Sequence, residues 1–169
     1  MTPVATTFFF YLLAGLTLLS GVLVITRKNP VHSALALIFG LLSQAGLYLM
    51  LYAPFVAGVQ IILYAGGIMV LFLFVIMLVN LDRAKKEEQF NQQWLVGLIA
   101  AIALGALFTG VYLKGQDLFP EHTMTLPEGS NTQQIGLMLY GQYMFAFEIA
   151  SLLLLVAIIG AVVMAKKRI

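Results

Sequence analysis

The chain of 169 residues contains no cysteine. Disulfides, thiolate-held iron–sulfur clusters and thioether-attached haem are therefore excluded within it. Charge is scarce as well: 9% of residues are charged, against about 25% in an ordinary soluble domain. No long basic stretch interleaves with aromatics, so nucleic acid is not an expected partner. Only two histidines occur, His32 and His122. What the chain has is apolar mass. Apolar residues make up 62%, and the mean hydropathy is +1.00. So little polar surface cannot cover a soluble core of this size, which excludes a soluble globular enzyme. Disorder needs low hydrophobicity and high charge, and is excluded too. What remains is an integral membrane protein in contact with the lipid bilayer.

Crossing about 30 Å of hydrocarbon takes about 20 apolar residues in a helix. Five runs of that kind stand at residues 3–26, 31–52, 55–80, 94–113 and 139–165. They are continuous, not alternating, so β-barrel strands are excluded. The expected fold class is all-α, a polytopic membrane protein with five transmembrane helices in a single membrane domain spanning 1–169. Arg27-Lys28-Asn29-Pro30 ends the first run, and Pro30 suits the first turn of the second. Ala53-Pro54 leaves almost no loop before the third. A charged stretch, 82–93, precedes the fourth, and residues 114–138 form the expected external loop, with Pro120, Pro127, Gly129 and Asn131. The first run is expected to be a retained span. It has no basic start, it is too long for a leader's apolar core, and no small-x-small site follows.

Lys and Arg placement sets the expected orientation. The loops after spans one and three, with the C-terminal end, hold Arg27, Lys28, Arg83, Lys85, Lys86, Lys166, Lys167 and Arg168, while the other side holds Lys114 alone. By the positive-inside rule the N-terminus lies outside and the C-terminus in the cytoplasm. The long loop, with Asp117, Glu121 and Glu128, is then external. His32 and His122 fall on opposite faces and cannot share a metal or haem.

Among the few polar groups inside the spans are Ser43, Gln44, Gln60, Tyr64, Glu148 and Ser151. Glu148 is the sole ionisable candidate at depth. An intramembrane carboxylate is a functional hypothesis by default. Yet Glu148 precedes Lys166 by 18 residues, about 27 Å along a helix, which places it near the outer boundary. A hydrated interfacial carboxylate orienting span five is the alternative. Small residues form seams. Span four carries Gly97, Ala101, Gly105 and Thr109, span two Ala36, Gly40, Gln44 and Tyr48, and span five Ala157, Ala161 and Ala165. Such ridges permit close helix contact, within the chain or with other subunits.

The third span is the least ordinary. In Gln60-Ile61-Ile62-Leu63-Tyr64-Ala65-Gly66-Gly67-Ile68 a tyrosine near mid-membrane depth precedes two glycines. Glycine weakens a helix by about 1 kcal/mol relative to alanine. The pair is a soft point where a bend or π-bulge can form, or a place where a neighbouring helix comes close. We expect an irregular hydrogen-bond ladder between Leu63 and Leu71, with Gly67 the position where a β-branched residue hinders rearrangement.

The segments from Asn29-Pro30-Val31-His32 to Tyr64-Ala65-Gly66-Gly67-Ile68-Met69-Val70-Leu71-Phe72, with Phe147-Glu148-Ile149-Ala150-Ser151 in the last span, resemble subunit J of bacterial NADH:quinone oxidoreductase, respiratory complex I. Mitochondrial NADH dehydrogenase subunit 6 is the counterpart. The resemblance covers nearly the whole chain, in order. It implies a membrane-arm subunit of the plasma (inner) membrane that couples quinone reduction to proton translocation. No catalytic, metal or cofactor-binding residue is implied in this chain. FMN, iron–sulfur clusters and quinone belong to the rest of the complex. Implied partners are the quinone-site subunit, small three-helix subunits and antiporter-like subunits. By position, Tyr64, Ala65, Gly66 and Gly67 are the bulge region, and Met69, Val70 and Phe72 lie on the part that turns. Gln60 and Glu148 are candidates for a polar path. Some members carry a carboxylate where this chain has Gln60, and an amide cannot release a proton. The alternative is a related subunit of a membrane-bound hydrogenase or multisubunit cation/proton antiporter. A stand-alone transporter would be expected to show paired intramembrane charges or an inverted repeat, and neither is present.

Overall fold

The structure is a computed structural model that describes residues 3–79, 93–115 and 130–166. Among these residues every regular element is helical: α1 (Pro3–Thr26), α2 (Pro30–Met50), α3 (Pro54–Val59), a π-helical segment (Gln60–Ile68), α4 (Met69–Leu78), α5 (Trp94–Gly115), α6 (Asn131–Tyr140) and α7 (Met144–Ala165). Segments α3, π and α4 run on as one span, Pro54–Leu78, so five helices are long and apolar enough to cross a membrane. The all-α, five-span expectation holds. The cations Arg83, Lys85, Lys86, Lys167 and Arg168, the acids Asp82, Asp117, Glu121 and Glu128, and His122 lie outside the described residues.

The chain divides into two compact units, Met1–Leu126 and Pro127–Ile169. In the first, α2 is the middle helix of a row. α1 packs on one of its flanks and the third span on another, and α1 and the third span do not touch. Small residues make the α1–α2 approach possible. A Cβ built on Gly40 would stand 3.2 Å from Ser20 Cβ, and one on Gly46 2.9 Å from Leu13 Cδ1. Ser20 of α1 and Ala34, Ser43 and Ala45 of α2 are buried. α5 lies against none of the other helices of its unit among the described residues.

Lipid offers no hydrogen bonds, so hydroxyls in the spans turn back to their own helix. Thr17 Oγ1 donates to the Leu13 carbonyl (2.8 Å), Ser43 Oγ to Phe39 (2.9 Å) and Thr109 Oγ1 to Gly105 (2.8 Å). The start of α2 follows from sequence: Asn29 is the N-cap, its side chain accepts from Val31 N–H (3.0 Å), and Pro30 opens the first turn. His32, two residues beyond Pro30, is exposed.

The second unit departs from the expected loop. Asn131–Tyr140 is helical where residues 114–138 were expected to be loop, and the last span begins at Met144, not at residue 139. Gly141 breaks the run, and Tyr143 N–H reaches back to the Met138 carbonyl (3.0 Å). The Tyr140 and Phe147 rings then meet at 5.3 Å across the break. Polar residues at the start of α6 resemble a loop in composition, yet Gln134 N–H closes a helical turn onto the Ser130 carbonyl (3.1 Å).

Candidate functional site

The tight turn between α2 and α3 sets the site's upper end. Ala53 N–H donates to the Tyr48 carbonyl (3.0 Å) and Tyr52 N–H to Leu49 (3.2 Å). This bond pair is a Schellman ending, which calls for a left-handed residue after the C-cap. Tyr52 occupies that place with φ 56°. Glycine is the usual occupant, so the tyrosine holds a conformation that costs about 1–2 kcal/mol. Pro54 then opens α3.

Six residues beyond Pro54 the α-helix widens. From Gln60 to Ile68 the backbone is π-helical. The Met69 N–H donates to the Tyr64 carbonyl, five residues back, where an α-helix would use four. The irregularity begins three residues earlier than the expected Leu63 and ends inside the expected range.

The consequence appears in which side chains are covered. Along the third span the buried residues are Ala57, Gln60, Ala65 and Met69. Their spacing is three, five and four residues. An unbroken α-helix places residues three or four apart on one face, so the step of five carries the inserted residue. One residue is about 100° of helix rotation. The wide turn therefore sets Ala65 (6% exposed) and Met69 (6%) on the covered seam, and leaves Tyr64 (48%) and Ile68 (56%) off it. The π segment and α4 both pack on α2, so this seam faces α2.

At the head of the seam Gln60 Nε2 donates to Gln44 Oε1 of α2 (3.2 Å), and Gln44 Nε2 donates to the Tyr48 hydroxyl (3.1 Å). Gln60 is 8% exposed. A buried amide in an apolar span needs such a partner. Gln44 is the functional-site residue that the sequence alone left unpaired with Gln60. One signal could have found it: Gln44 and Gln60 each stand eight residues from Tyr52, at the turn, so an antiparallel hairpin puts them at one depth.

The two glycines differ. A Cβ on Gly66 would stand 3.1 Å from the Ile61 carbonyl oxygen, whereas one on Gly67 would be 3.7 Å from that of Ile62. The first is tighter than van der Waals contact and the second is ordinary. Gly66, more than Gly67, is thus the position where the wide turn crowds an added side chain. No neighbouring helix fills the space beside either within 4 Å.

Of the residues expected at the site, Gln60, Ala65 and Met69 come together against α2. Tyr64, Gly66, Gly67, Val70 and Phe72 are exposed on the same span. Glu148 is on α7 in the second unit, exposed, with Ser151 Oγ donating to its carbonyl (2.6 Å). Among the described residues no three His, Asp or Glu side chains gather as a metal site would need. Chemically, this arrangement can position groups and water. Amides, a phenol and apolar groups can order water or exclude it.

Residues 20–164 match the family described as NADH-ubiquinone/plastoquinone oxidoreductase chain 6. The chain is similar to the NADH-quinone oxidoreductase subunit J of Rhodobacter capsulatus, with 42% identity over 161 residues, 93% of this chain and 80% of the relative. It is similar to that of Pseudomonas aeruginosa at 37% identity, covering 91% of this chain and 93% of the relative. The Escherichia coli K12 subunit J is 37% identical over 164 residues, 91% of this chain and 83% of the relative.

Proposed function

The chain belongs to the NADH-ubiquinone/plastoquinone oxidoreductase chain 6 family, whose bacterial members are the J subunits of NADH-quinone oxidoreductase, and from that premise we propose that its third span is a conformational switch coupling quinone reduction to proton translocation. The chain is a membrane subunit of an enzyme complex. Its own part in catalysis, in this reading, is to gate. The redox chemistry, with FMN, iron–sulfur clusters and quinone, takes place on other subunits.

The observation that carries the reading is the step of five in the buried seam. A π turn and an α turn differ by one residue, so passing between them exchanges one set of side chains for another. Returning to α would bring Tyr64 and Ile68 to α2 in place of Ala65 and Met69. Val70 and Phe72, exposed at 56% and 50%, would swing through the same angle. Large apolar groups moved into a narrow passage exclude water, and moved out they admit it. A proton path needs water there, because Gln60 carries no releasable proton. Coupling requires a two-state element whose balance a distant site can bias, and the extra residue in the wide turn supports reading this span as one.

In this reading the membrane is the bacterial plasma membrane, and the N-terminus lies outside. The partners are the quinone-site subunit, the small three-helix subunits and the antiporter-like subunits. The test is the intact complex trapped in its resting and turnover states. The reading requires a π turn at Gln60–Ile68 in one state and a regular α-helix in another. An unchanging ladder through both states would overturn it.

A further inference from the structure

We propose that the Gln44–Gln60 hydrogen bond is a clamp that holds the upstream half of the third span to α2, so that any change of register at the wide turn is delivered to the downstream half, α4, alone. The inference rests on the switch reading above and adds what holds the upstream half while the downstream half turns.

A wide turn can close in two ways. If the upstream half stays, the seam runs Ala57, Gln60, Tyr64, Ile68, in steps of three and four. If the downstream half stays, it runs Met69, Ala65, Ile61, Gly58, again in steps of four and three. Backbone geometry alone does not prefer either. Side chains do. In the first case apolar Ala65 and Met69 leave α2, and no hydrogen bond breaks. In the second case Gln60 swings off Gln44 and Ile61 takes its place. Both amides then lose a partner in a segment where lipid offers none. An amide can both donate and accept, so the pair holds whichever way each side chain is turned.

A second tether acts on the same half. Upstream of the wide turn only Pro54–Val59 remains before the Schellman turn, whose bonds from Ala53 and Tyr52 fix it to the end of α2. The upstream half is thus held at the turn and at Gln60. Downstream, Ala65 and Met69 offer α2 no polar group, and α4 is apolar throughout its ten residues. Gln44 is itself oriented by the bond it gives to Tyr48 (3.1 Å). Gln44 and Gln60 are therefore positioning residues, acting through the span they hold.

Cysteine pairs in the intact, membrane-embedded complex can read the seam. Leu37 lies seven residues before Gln44 on the same α2 face, and the antiparallel register brings it beside residues 68 and 69. Leu37→Cys with Met69→Cys should cross-link at rest. Leu37→Cys with Ile68→Cys should gain yield during NADH-driven turnover. Adding Gln60→Leu should cut that gain by about threefold to about twentyfold, the population change expected for one interhelical hydrogen bond in a membrane. Gln60→Glu, which as a neutral acid still donates and accepts, should restore it. Gln44→Leu should match Gln60→Leu, and the double variant should add nothing. The double packs leucine on leucine, so it decides the matter where a single variant assembles poorly. A turnover gain at Ile68 that is unmoved by both single variants and the double overturns the clamp and leaves the switch standing. If the Ile68 pair never gains yield in the otherwise unmodified complex, the clamp falls, and the switch falls with it only where the π turn at Gln60–Ile68 is also unchanged between the trapped resting and turnover states.

Discussion

At the scale of single residues, the backbone near Gly66 decides more than composition does. The Ile61 carbonyl would stand 3.1 Å from a Cβ there. Because that carbonyl is backbone, relief requires the wide turn itself to shift. Overpacking of this kind costs about 1–3 kcal/mol. Gly66→Ala is therefore expected to bias the span towards α geometry and to lower proton translocation per NADH oxidised. Gly67→Ala, at 3.7 Å from Ile62, is expected to leave it near normal. Proton uptake by inverted vesicles, measured against NADH oxidation, separates the two, and equal effects would contradict the geometry. At Tyr52 the expected sign is reversed. Its φ of 56° suits glycine, so Tyr52→Gly should stabilise the turn by about 1 kcal/mol, seen as a higher aggregation temperature of the detergent-solubilised complex. Glu148 faces outward on α7 and anchors nothing in its unit beyond its own helix. Glu148→Gln should lower quinone-reductase activity by less than about tenfold, a barrier change under about 1.4 kcal/mol. Complete loss in a normally assembled complex would place the carboxylate on the proton path.

At the scale of elements, α2 is the organiser. Among the described residues it alone contacts both α1 and the third span. Its approach to α1 depends on Gly40 lying 3.2 Å, at the Cβ position, from Ser20. Gly40→Val would push α1 away and is expected to deplete the subunit from the assembled complex, measured by its abundance relative to a neighbouring subunit. Gly58→Ala serves as the control, since nothing stands within 4 Å of a Cβ there. In the switch reading the third span has two registers. Its ladder stays bonded through the wide turn, as the Met69-to-Tyr64 bond shows, so the two registers differ in side-chain partners more than in backbone bonds.

At the scale of the whole molecule, the chain is built for company. No residue in the most apolar windows of α5 and α7 is buried. Nothing stands within 4 Å of a Cβ on Gly97 or Gly105 of α5, although both belong to a ridge fit for close helix contact. Lipid alone gives such a ridge no advantage, whereas a partner helix does. The subunit should copurify with other hydrophobic subunits and an NADH-oxidising arm, and isolation as an active monomer would contradict this. Orientation is testable on the same preparation. Lys85→Cys and Thr125→Cys should label from opposite sides of sealed membranes. Labelling of both from one side would sink the N-outside assignment.

The amino-acid sequence by itself determined the spans, the Asn29–Pro30 start of α2 and the place of the soft point. Each depends on local composition or on contacts a few residues away: twenty apolar residues enter lipid whatever lies beside them, and a cap bonds its own first turn. It also carried the family's signature from one end to the other. Tertiary structure decided the rest. Sequence periodicity assumes a constant turn, so it could not say that the widening begins at Gln60, that Ala65 and Met69 face α2 while Tyr64 does not, or that Gly66 is the tight glycine. Nor could it pair Gln60 with Gln44. Those outcomes follow from matching one helix surface to another. One inserted residue rotates everything beyond it by about 100°, and only the neighbouring helix selects the register in which the buried amide keeps its partner.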